Sequence, residues 1–305
     1  MVLFHSAMQM HAARVARDVA LMAVSIAEQQ DELTVLVSLA RAGTPYGVLI
    51  HRALRLLGQE SRHYGVSLIK GWGIDHKALD FIRSQHSHGI IHFIDGWTGK
   101  GGISRELERS VIEYNQERGT TLCTKLNVLS DLAGTAGVAI NCDDYLIPSA
   151  LINAPMNGLI SKTFGEPEMT SPSGFHGTYL LQHLADVDYS QRFIDGIAEL
   201  LPQALASLTE HRQPLVDSEQ KASAWQRNEL SMTRLQALYS IRDEDLIKHG
   251  YCETVRALQR RSMRCLLLRH LSEQTEAIVA LAASLDLPVY EDKDLHYECV
   301  GICQA

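Results

Sequence analysis

No stretch of this chain comes near the roughly 20 consecutive apolar residues that a membrane-spanning helix needs, so no membrane partner is expected. The opening segment, MVLFHSAMQMHAARVARDVALMAV, carries charges inside an amphipathic pattern where a signal peptide would have an apolar core, which predicts a cytoplasmic protein. Paired C-x-x-C spacing is missing too. The six cysteines, Cys123, Cys142, Cys252, Cys265, Cys299 and Cys303, are scattered, which argues for free thiols over a disulfide framework or zinc site; only Cys299 and Cys303 leave metal open. A basic excess is also lacking. The formal net charge is -8, which argues against broad attraction to nucleic acid, so an anionic ligand would need lysines and arginines gathered in one cleft. There is no repeat of fixed period and no low-complexity tract.

What is present is an alternation of apolar runs and helical patterns. Residues 5 to 30 read as a helix from the spacing of Ala7, Met10, Val15, Val19, Met22 and Ile26. TVLVSLARAGTPYGVLIHRALRLL reads as a buried strand (Leu33 to Leu39) turning at Gly43-Thr44-Pro45 into a helix. HYGVSLIKGWGIDHKALDFIRSQ and IIHFIDGWTGKGGISRELERSV repeat the scheme, and KLNVLSDLAG, residues 125 to 134, supplies a fourth strand. Such alternation predicts a parallel sheet with ligands beyond the carboxyl ends of its strands. Pro148 and Pro155 suit bent or edge structure, residues 166 to 177 read as a loop, and the chain from about residue 188 reads as helical. CLLLRHL, EAIVALAASLD and LPVYED predict a strand, a helix and a strand. The domains expected are residues 1–200, a helical segment 201–250 and a small α/β module 251–305, the last separable from ligand binding.

The third glycine loop carries the most chemistry. Gly99, Gly101 and Gly102 would leave backbone N–H groups approachable at the start of a helix, Lys100 adds a cation, and Asp95 at the strand end suits sugar hydroxyls or magnesium. A nucleoside-triphosphatase loop is excluded, because only Trp97 and Thr98 separate Gly96 from Gly99-Lys100 and Gly101 follows; the dinucleotide fingerprint is excluded because residues 39 to 47 lack its glycines. Trp72 and Trp97 stand in glycine loops where an aromatic could stack on a base. Asp144, beside Asp143, and His176, between flexible glycines, are candidates to meet substrate.

The order of strand, acid, glycine-threonine loop and helix resembles type I phosphoribosyltransferases. "LVSLARAGTPYGVLIHRAL", "HYGVSLIKGWGID", "FIDGWTGKGGISREL", "DDYLIPSALINAPMNGLISKTF" and "FHGTYLLQHLADVDYSQRFID" together resemble the phosphoribosyltransferase-like proteins also labelled the StiP cysteine protease family, found in bacterial tellurium-resistance and stress gene clusters. The resemblance implies a phosphoribosyltransferase-like sheet flanked by helices, binding phosphoribosyl pyrophosphate with magnesium and transferring the ribosyl group to an unidentified acceptor. Arg41 with Ala42, Gly43 and Thr44 would hold pyrophosphate, Thr98 to Gly102 the 5'-phosphate, Asp95 the ribose or magnesium, and Lys70 would close from a mobile loop. Gly96 in place of a second acid departs from that pattern. The C-terminal module is similar to Pelota-like RNA-binding domains, which brings RNA among the partners; a homodimer is left open.

Two other functions remain open. A non-catalytic sensor of a nucleotide or sugar phosphate would account for the missing acid. A cysteine protease needs a thiolate and a base, here Cys142 or Cys123 with His176 or His92. Many relatives carry a cysteine after the IPSA block, and Leu151 occupies that position.

Overall fold

The computed structural model describes residues 2–29, 32–152, 159–161, 174–210, 212–272 and 275–304. The chain opens with α1 (Val2–Ala27), then alternates β1 (Thr34–Ala40), α2 (Thr44–Leu56), β2 (Ser61–Ile69), β3 (Gly73–Ile74), α3 (His76–Gln85), β4 (Ile90–Ile94), β5 (Trp97–Thr98), α4 (Gly102–Arg118), β6 (Leu126–Asp131) and β7 (Val138–Asn141). These strands form one sheet in the order β3-β2-β1-β4-β6-β5, with β7 also paired to β6. Every pairing is parallel except that of β3 with β2. The architecture is mixed α/β, with a mostly parallel central sheet flanked by helices.

Strand alternation decides which side each residue serves. Leu36 of β1 faces a cluster with Val19, Leu49, Ile50 and Phe193. Val35, Val37 and Leu39 face the opposite cluster, with Leu79 and Ile82 of α3 and Leu107 and Val111 of α4. Burial on both faces is why β1 reads as a continuous apolar run.

The remaining elements are α5 (Ser190–Ala198), α6 (Leu201–Glu210), α7 (Ser218–Tyr239), β8 (Ile247–His249), α8 (Tyr251–Leu258), β9 (Met263–Leu268), α9 (Glu276–Ser284), β10 (Val289–Glu291) and β11 (Cys299–Cys303). Asp217 starts α7 with a reciprocal capping box to Gln220. The last four strands form a second sheet in the order β10-β9-β11-β8, of which β8 and β11 have no counterpart in the sequence reading. The expected loop at 166–177 lies, up to residue 173, outside the described residues, as does Pro155.

The C-terminal residues share core and cleft with the first sheet. Tyr251, Cys252 and Val255 of α8 share the core cluster of α1 and α2, and Arg256 and Arg260 line the same cleft as Arg41 and Asp95.

Candidate functional site

The loops after β1, β2 and β4 do meet beyond the carboxyl ends of the strands. They enclose a cavity of about 270 Å³ walled by Arg41, Ala42, Lys70, Asp95, Arg256 and Arg260. Burial, with Arg260 and Arg256 nearby, brings the Arg41 guanidinium down to about 10, still charged at neutral pH. Asp95 is the acid of this cleft. Its Oδ1 accepts from the Gly96 N–H at 2.7 Å, and burial pushes its carboxyl up to about 7 against the pull of Arg256. Gly43 precedes α2 with ordinary helical angles, and a Cβ there would lie 2.6 Å from the Ile94 carbonyl. Its smallness lets β1 and β4 close on the turn. The Thr44 hydroxyl is buried and has no hydrogen-bond partner among the described residues.

Glu253 packs on Gly99, at one face of the loop where a phosphate was expected. A Cβ on Gly99 would lie 2.8 Å from Glu253 Cγ and 3.1 Å from the His249 carbonyl oxygen. Glu253 is a partly exposed acid whose carboxyl is kept below its usual range by Arg256, the Trp97 N–H and nearby lysines, against the desolvation of its site. A carboxylate packed on the loop repels a phosphate at that face. Thr98 Oγ1 donates to Asp131 at 2.6 Å, Gly101 takes φ +73 to enter α4, and Gly102 faces open space. Lys100 donates to the Glu244 carbonyl and lies 3.6 Å from Asp245. Lys70 lies 2.5 Å from the other oxygen of Asp245. Lys100, expected at the 5'-phosphate, and Lys70, expected to close over the site, are therefore both tied to the turn before β8.

The aromatic candidates separate. Trp72 is exposed, whereas Trp97 is buried edge-on to Tyr46, with its Nε1 donating to Glu253 at 3.0 Å. Asp144 is committed internally: its carboxylate accepts from the N–H groups of Tyr251, Glu298 and Cys299. Among the described residues, no group of three His, Cys, Asp or Glu could hold a metal ion.

All six cysteines are free. Cys252, Cys265, Cys299 and Cys303 are buried, and burial pushes each of these thiols up. Cys123 is exposed between α4 and β6. Cys142 is half-buried just past β7, in a groove with Asp143, Val216, Glu219 and Arg227. Burial pushes its thiol up to about 11, with Arg227 and Lys221 opposing. Leu151, in a short 3-10 turn, packs against the main core. His92 is buried in β4 and falls to about 4. His176 does not join Cys142. It is bonded to β2, four inter-strand steps from β7, or roughly 19 Å at the usual strand spacing.

Its partner is one the sequence reading passed over. His176 Nδ1 lies 2.5 Å from Ser67 Oγ, and its backbone N–H donates to Asp75 Oδ2 at 2.7 Å. Asp75 Oδ1 also caps α3 through the Ala78 N–H. These residues line a second cleft, of about 300 Å³, together with Phe81 and Phe175. Ser67 and His176 are 109 positions apart, so local pattern carries no sign of the pair; Asp75 before an apolar helix was a readable N-cap.

Residues 1–198 match the family described as "Tellurite-like stress resistance cysteine protease StiP", and residues 226–305 match the PELOTA RNA binding domain. A protein of Acinetobacter baylyi named "Cysteine protease StiP" is 37% identical over 284 residues, covering 89% of this chain and 72% of the relative. No solved structure matches. The expectation of a phosphoribosyltransferase that uses phosphoribosyl pyrophosphate is overturned by these matches, and the acid packed on Gly99 and the tied lysines give its physical counterpart. On its match over residues 1–198 and its 37% identity to a named member, the chain belongs to the StiP family.

Proposed function

We propose that this chain is a protease of the cysteine class, the activity printed in the name of its Acinetobacter relative, with Cys142 as the attacking thiol. The family match carries the reading. Cys142 is the thiol with both partial exposure and a groove around it, of about 530 Å³ beside α7. Among the described residues its charged neighbours are Asp131, Asp143, Arg227 and Lys221, and no imidazole is among them. The thiolate then forms by direct ionisation, and its fraction rises about tenfold per pH unit below the thiol pKa. Cleavage of an unfolded protein such as casein should fall at least about 100-fold in Cys142→Ser. Alkylation of Cys142 by iodoacetamide should accelerate from pH 7 to 9 and slow in Arg227→Gln, which loses the cation that favours the thiolate. Cleavage that survives both Cys142→Ser and complete alkylation defeats the thiol reading.

We further propose RNA as a partner of residues 226–305. The domain match supports it, as does the run Arg256, Arg260, Arg261 and Arg264, a local cationic stretch in a chain of net charge -8. Fluorescence anisotropy with a single-stranded RNA should show binding that weakens from 50 to 200 mM salt and drops in Arg260→Glu. Binding indifferent to both would exclude this surface.

A further inference from the structure

We propose that Ser67 and His176 form a nucleophile–base pair that accepts the acyl group of a small apolar ester or amide. The inference stands apart from the thiol reading, since it uses another cleft and another atom. Ser67 lies near the carboxyl end of β2 and His176 is bonded to it, with Oγ and Nδ1 2.5 Å apart. Both line the cleft of about 300 Å³, at the small end of the range for ligand sites. Its other walls, Tyr64, Val66, Phe81, Ile160 and Phe175, are largely apolar. They would receive a short acyl chain or an apolar side chain by excluding water from it.

Three other serine–histidine contacts occur, Ser38 with His63, Ser61 with His51 and Ser231 with His249; of the four serines Ser67, 9% exposed, is the most open, the others being 0–2% exposed. His176 is half-exposed on the cleft and held from two sides. Asp75 fixes its backbone while the same carboxylate caps α3, and Ser67 fixes its ring. Burial lowers the His176 imidazole from its usual value, against Asp75 and with His76. The neutral ring that results can take a proton.

The step balances within the pair and its substrate. Ser67 Oγ forms a bond to the acyl carbon, its proton passes to His176 Nδ1, and the departing alcohol or amine takes that proton as the carbon–heteroatom bond breaks. Water then cleaves the acyl-serine by the same route. The first turn of α3 borders the cleft through Asp75 and Ala78, with the Asp75 carboxylate seated on the Ala78 N–H and on that of His176.

The full chain can be treated with a fluorophosphonate, which loses fluoride to an activated serine, and the adduct located by peptide mass mapping. Turnover of p-nitrophenyl butyrate is followed in parallel. One adduct on Ser67 is expected, with ester turnover reduced at least about 100-fold in Ser67→Ala and in His176→Ala, and both readouts unchanged by prior iodoacetamide. Folded protein with Ser67 unlabelled, or turnover that survives Ser67→Ala, overturns the proposal. Turnover lost to iodoacetamide with Ser67 unlabelled also overturns it, while supporting Cys142. If Ser67→Ala fails to fold, Ser67→Cys decides: beside a base, a thiol at 67 should alkylate about tenfold or more faster than Cys142, and an equal or slower rate rejects the pair.

Discussion

Asp95 holds its proton in the folded chain across a pH range where the unfolded chain has released it. Its carboxyl moves from 3.8 to about 7 on folding, mainly through burial. Below about pH 4 both states are protonated and the residue costs nothing. Between there and about 7 the unfolded state binds fewer protons, so stability declines as pH rises, and above 7 the full penalty applies. Asn at this position can still accept from Gly96 without ionising. Asp95→Asn should therefore leave urea stability near wild type at pH 4 and raise it by about 2–4 kcal/mol at pH 8; a variant that tracks wild type at both pH values removes the burial argument. The place of Asp95 was legible, because an apolar run ending in Asp-Gly marks a strand end. Its role was not, since the charged groups nearest it in the fold, Arg256 and Glu253, lie more than 150 positions away. The same distance hid the Glu253 that occupies the glycine loop, and the 109 positions between Ser67 and His176 hid that pair.

The longer strands of the first sheet and the helices after them followed from their patterns, since β1, β4 and β6 are apolar runs whose two faces are both covered, whereas β3 and β5, two residues each, lie in what read as glycine loops, and β7 was not read. The short strands β8 and β11 escaped because a three-residue strand carries no period to read, and Cys299–Cys303 resembles any buried run. Asp144 joins these two tiers of structure. Lying in the turn after β7, it accepts from Tyr251 at the head of α8 at 2.7 Å and from Glu298 before β11 at 2.8 Å. Burial still pushes its carboxyl up to about 7 against those bonds. Asp144→Asn replaces one accepting oxygen with a donor that must face a buried N–H. It should lower urea stability by about 1–3 kcal/mol, with unfolding of both sheets affected together. A loss confined to substrate binding at unchanged stability would return Asp144 to the role of ligand contact.

At the scale of the molecule, the two family matches meet in shared structure. The Pelota-matched residues contribute Arg256 and Arg260 to a cleft whose other walls belong to the StiP-matched residues. Partner binding at one part can therefore reach the other through a common surface. The order in which the second sheet is made has its own consequence. β11 lies between β9 and β8 and pairs antiparallel with both, yet it leaves the ribosome after them. Until it arrives, β8 has no neighbour in its sheet, and β9 can pair only with β10. At ordinary rates of translation the roughly 50 residues between β8 and β11 take roughly 3 to 10 s to synthesise. During that interval the unfinished sheet presents open edges of the kind that chaperones cover and aggregation exploits, so slow codons or stalling late in the message should cost this protein more soluble yield than stalling before β8.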